Sequence, residues 1–84
     1  MTERRNVPLT MLRAGQSGKI VEIQGGPGLI NRLNALGIRP GKRVTKVGSM
    51  LMRGPVTVQV GGTQVAMGFG MARRVIVEPG DAAR

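Results

Sequence analysis

Gly25-Gly26-Pro27-Gly28-Leu29-Ile30-Asn31-Arg32-Leu33-Asn34-Ala35-Leu36-Gly37-Ile38-Arg39-Pro40-Gly41 is the stretch whose reading decides the fold. Leu29, Leu33 and Leu36 recur at i, i+4 and i+7 with Ile30 beside them, which makes one apolar stripe at the helical period. Asn31, Arg32 and Asn34 fall on the side left for water. Gly37 fits the left-handed position just past a helix end, which places Ile38 where it can touch Leu33. Pro40 and Gly41 then stop the helix and turn the chain. At the front, Gly25, Gly26 and Gly28 flank Pro27 and permit a sharp turn from a preceding strand, with no Ser, Thr or Asp to cap the helix. One short helix therefore sits between two glycine-rich turns.

Working outward, both flanks read as strand. Toward the N-terminus, Lys19 to Gln24 holds Ile20, Val21 and Ile23 without clean alternation, which predicts a strand that is bulged or covered on both faces. Before it, Arg13 to Gly18 is turn chemistry, and Leu9 and Leu12 in Pro8 to Leu12 suit a single helical turn. Residues 1–7 are polar and charged and are expected to form a loose arm. Toward the C-terminus, Lys42 to Gly48 carries Val44 and Val47 three apart, again the pattern of a bulge or bend rather than of a flat strand. Val56, Val58 and Val60 alternate with Thr57 and Gln59, and Gly61-Gly62 is a two-residue hairpin signal leading to Val65 and Met67. Gly68 to Arg73 has room for one helical turn, with Phe69 expected in the core. Arg74 to Glu78 closes the set as a strand, and residues 79–84 are tail. The expectation is one mainly β domain over residues 8–78, a small barrel of about five strands with one short helix and one or two single helical turns.

Composition limits the chemistry. The chain has 84 residues, no Cys, no His and one aromatic residue, Phe69. Without imidazole, thiolate or a spaced acid pair it lacks a recognisable nucleophile with its base, so it reads as a non-enzyme. The same inventory argues against a metal site in the chain and against any cofactor, since iron sites draw on imidazole and carboxylate. Neither Gly18-Lys19 nor Gly41-Lys42 completes a phosphate-binding loop: the earlier glycine is replaced by Arg13 or Leu36, and no Ser or Thr follows the Lys. No apolar run approaches the roughly 20 residues of a membrane-spanning helix, and the N-terminus has no signal-peptide segment. The chain reads as cytoplasmic.

Thirteen Lys and Arg against four acids give a formal charge of +9, which directs attention to acidic partners. Arg39, Lys42, Arg43 and Lys46 lie close in sequence, and Arg73-Arg74 are candidates to join them. Small basic barrels often bind RNA through its backbone, which is the alternative function. The lack of aromatic side chains for base stacking weighs against it. Between Gly48 and Gly54 stands Met50-Leu51-Met52-Arg53, an apolar cluster in a loop beside an arginine, which has the composition of an interface centre. The same residues could instead plug the barrel end, and an exposed apolar loop serves a homo-oligomer as well as a foreign partner. The exposed side of the helix, with Asn31, Arg32 and Ala35, is a second candidate surface, more ordinarily a solvated face, and Arg39 is a further candidate for partner binding.

The pattern Pro8-Leu9-x-x-Leu12-x-x-Gly15-x-x-Gly18-x-x-Val21-x-Ile23, followed by Leu36-Gly37-Ile38-x-Pro40-Gly41, Gly54-Pro55-Val56 and Ala72-x-x-Val75-x-Val77, closely resembles the FeoA family. The resemblance implies an SH3-like barrel of ferrous iron uptake. It further implies action by contact with the cytoplasmic GTP-binding region of the FeoB transporter, so that membrane proximity would come through that partner. The same fold ends certain iron-dependent repressors, but no helix-turn-helix precedes it here.

Overall fold

A computed structural model of the chain describes residues 6–49 and 54–80. The Met50-Leu51-Met52-Arg53 cluster therefore lies outside the described residues. The chain forms β1 (Val7–Pro8), a 3-10 turn (Leu9–Met11), β2 (Ser17–Ile23), α1 (Pro27–Ala35), β3 (Arg43–Ser49), β4 (Val56–Val60), β5 (Thr63–Met67), α2 (Phe69–Ala72) and β6 (Val75–Pro79). All strand pairs are antiparallel, in the order β1-β6-β2-β3-β4-β5.

Among the described residues six strands form, against an expectation of about five. The additional one is β1, in which Val7 pairs with Val77 and Pro8 with Ile76, so Val7 belongs to the sheet and not to a loose arm. A two-residue edge strand containing proline has no periodicity to read, and its partner lies about seventy residues away in the chain. The irregular strands owe their curvature to bulges. The β2–β6 register shifts between Ile20 and Glu22, and the β3–β4 register shifts between Lys46 and Gly48. Strand β4 alternates, with Val56, Val58 and Val60 buried, and Val60 pairs with Thr63 across Gly61-Gly62.

One core runs through the sheet. Leu9, Ile20, Leu33, Ile38, Val58 and Val77 are wholly enclosed within it. Helix α1 inserts Leu33 and lays half-buried Leu29 and Ile30 against the core. It starts with Pro27 at its first turn, and Gly28 lies within the helix rather than in the turn before it. Leu36 departs from the expected stripe and is 43 % exposed, because the helix has already ended at Ala35. The ending is a Schellman motif: Ile38 N donates to Leu33 O at 2.9 Å, and Gly37 N to Asn34 O at 2.9 Å, with Gly37 at φ +88°. Two further expectations change in this region. Asn34 is half-buried, not left for water, and Phe69 is half-buried at the start of α2 rather than enclosed.

Candidate interaction surface

Strand β3 organises the charged residues. Its alternation sends Val44 and Lys46 inward, whereas Arg43, Thr45 and Val47 take the outer face. Lys46 is consequently 7 % exposed and does not belong to the cationic cluster in which its sequence position places it. Its ammonium donates to Leu12 O at 2.8 Å and to Thr10 O at 3.3 Å, clamping the carbonyl end of the 3-10 turn. The backbone of the same residue joins in: Gly15 N donates to Lys46 O at 2.6 Å, and Lys46 N to Gln16 O at 2.9 Å. A buried charge is tolerable when it is hydrogen-bonded in this way. The signal that could have found it is parity, since Lys46 shares a strand face with Val44.

The remaining cations converge where β2 meets β3. Lys19 pairs in register with Arg43, and both are exposed. The Arg39-Pro40-Gly41-Lys42 turn closes with Lys42 N donating to Arg39 O at 3.1 Å. That turn is docked on β2, because Gly41 N donates to Ile20 O and Ile20 N to Lys42 O, each at 2.8 Å. Lys19, Arg39, Lys42 and Arg43 are thereby gathered around one point of the sheet. Arg43 Nη1 also reaches Gly80 O at 3.4 Å. Beside them the outer face turns neutral, with Ser17 Oγ and Thr45 Oγ1 2.7 Å apart.

Arg73 and Arg74 do not join this group. They lie in the turn before β6, at the opposite end of the β2–β6 pair, where Gln24 N donates to Arg74 O at 2.8 Å. Arg32 is exposed in the last turn of α1, a favourable end of the helix dipole for a cation. Arg39 is thus drawn into the cationic cluster, while Arg32 stays on the helix. The turn glycines Gly25, Gly37, Gly41 and Gly61 have positive φ; Gly26 and Gly62 do not. Among the described residues, no three of His, Cys, Asp and Glu come together as metal ligands.

The FeoA domain family model matches residues 7–79. The chain belongs to the FeoA family. A Methanocaldococcus jannaschii protein provisionally named Fe(2+) transport protein A is 30 % identical over 71 residues, 84 % of each chain. A crystal structure of an iron uptake regulatory protein, FeoA, superposes with a TM-score of 0.83 at 36 % identity, covering 89 % of this chain and 99 % of that one. Stenotrophomonas maltophilia FeoA, solved with zinc and described as an SH3 domain protein, superposes at 0.74 with 29 % identity over 90 % and 98 % of the two chains. A manganese-dependent transcriptional repressor shares the fold alone, at TM-score 0.82 and 19 % identity, with this chain covering 44 % of its length. The FeoA family places the chain in ferrous iron transport, on an SH3-like fold.

Proposed function

We propose that the protein is a non-catalytic interaction module of ferrous iron uptake that works in the cytoplasm on the GTP-binding region of a FeoB-type transporter. The observation that carries this reading is the family match, which spans the barrel from β1 to β6. The side-chain inventory supports it: with neither His nor Cys, the chain has poor means of holding iron or activating a nucleophile, so contact is what it can offer. Stenotrophomonas maltophilia FeoA is itself described as a candidate activating factor of bacterial ferrous iron transport. The contact is assigned to Met50, Leu51, Met52 and Arg53, where three adaptable apolar residues precede an arginine in the sequence.

The test is a calorimetric titration of the purified protein against the isolated GTP-binding domain of a cognate transporter. Saturable binding is expected, and Leu51→Asp should weaken it at least about tenfold, the effect of losing an interface residue worth about 1.4 kcal/mol or more. Loss of the folded circular dichroism signal in Leu51→Asp would instead make Leu51 a barrel plug. Structured RNA run in parallel at several salt concentrations addresses the competing reading: steep, salt-dependent RNA binding without domain binding would replace the proposal.

A further inference from the structure

We infer that the cluster of Lys19, Arg39, Lys42 and Arg43 docks the protein on an anionic lipid surface. Like charges directly opposite on neighbouring strands destabilise a sheet, and Lys19 and Arg43 are such a pair, both exposed. The Arg39–Lys42 turn, fixed to β2 by two backbone hydrogen bonds, adds two more exposed cations at the same place. Among the described residues, Glu78, opposite Lys19 on the β6 side and half-buried, is the acid closest to the group in register. Four exposed cations against one half-buried acid leave the described residues of this region with a surplus of positive charge that a negatively charged surface complements.

Its chemistry selects among anionic surfaces. Single-stranded nucleic acid asks for stacking platforms, and the one aromatic residue, Phe69, is half-buried at the start of α2, between β5 and β6. A specific acidic protein face rewards cations fixed beforehand, because holding a long side chain still costs entropy. Among the described residues, the side chains of Lys19, Arg39 and Lys42 make no hydrogen bond, and Arg43 makes one long one at 3.4 Å. Unheld ammonium and guanidinium groups gathered at one place suit a fluid layer of headgroups, whose phosphates move to meet them. Membership of a family of ferrous iron transport puts the chain's work beside a bilayer.

The cluster lies at the opposite end of β3 from the residue that leads into Met50. Strand β3 begins at Arg43 and ends at Ser49, and its seven residues span about 20 Å. Lipid and partner could be engaged at once from the two ends of one strand. The lipid inference rests on family membership and on charge, not on contact with FeoB, so the two can fail independently.

The experiment is co-sedimentation of the full chain with vesicles of phosphatidylcholine alone or with phosphatidylglycerol added, in the absence of any transporter. Binding is expected only with phosphatidylglycerol present, and should fall away as salt rises and the Debye length shrinks from about 30 Å at 0.01 M to about 8 Å at physiological strength. The triple variant Lys19→Gln, Lys42→Gln, Arg43→Gln should lose about 100-fold in apparent affinity, at roughly 1 kcal/mol per cation near the surface. A matched triple, Arg13→Gln, Arg73→Gln, Arg74→Gln, also lowers the charge from +9 by three to +6 and should lose far less. If either triple fails to fold, Lys42→Gln against Arg73→Gln makes the same comparison, with about fivefold loss expected for the former. No binding to phosphatidylglycerol vesicles at low salt overturns the inference. So do equal losses in the two matched variants, or salt-steep capture by RNA without vesicle binding.

Discussion

Two cations three residues apart on β3 have opposite fates. Arg43 stands on the outer face opposite Lys19, whereas Lys46 is enclosed and holds the carbonyls of Thr10 and Leu12. Their difference is strand parity, since an odd separation puts two side chains on opposite faces. A run of basic residues is therefore not a surface until its secondary structure is known. In this chain one member of the run secures the fold, and the others leave it with charge to spend on something else.

The comparison can be broken by substitution. Lys46→Ala removes two hydrogen bonds to a charged donor and leaves two carbonyls without that partner; it should lower unfolding free energy by about 3 kcal/mol, read from urea midpoints at unchanged slope. An unchanged midpoint would show that the ammonium contributes nothing to the enclosure of the 3-10 turn. Gly37→Val comes next, at about 2 kcal/mol, because a β-branched residue at φ +88° is strained whatever space surrounds it. An added Cβ there meets only Val60 Cγ1, at 3.8 Å, so the loss would be backbone strain rather than collision. Thermal melting that matches the parent would refute the helix ending described for Leu33 to Ile38. Arg43→Ala should change stability by about 0.5 kcal/mol or less, as for an exposed residue with one long hydrogen bond. A large loss in Arg43→Ala would erase the contrast with Lys46.

What was legible in the sequence follows the range of the interactions. The Schellman ending is local chemistry written in six consecutive residues, and the β4–β5 hairpin combines strict alternation with a two-glycine turn. Both bulges were announced by broken alternation around Val21 and Val47. Long-range features were not legible. β1 forms only because β6 is there to receive it, and the half-burial of Asn34 depends on how α1 lies on the core. The cationic cluster was half legible: Arg39, Lys42 and Arg43 are near neighbours in sequence, but Lys19 joins them through strand register and Lys46 leaves through parity. Separation of Arg73-Arg74 from that cluster likewise required the β2–β6 pairing.

The edge strand β5 has a consequence of a colloidal kind. Thr63–Met67 is a regular five-residue edge, continuous in register with β4, and carries no lysine, proline or bulge to deter another strand. Its exposed residues Thr63, Gln64 and Ala66 are all neutral. Two molecules of formal charge +9 repel one another, over a distance that dissolved ions set. Ionic strength is therefore a condition of storage for this protein: salt that screens its charge also weakens the repulsion that opposes edge-to-edge pairing.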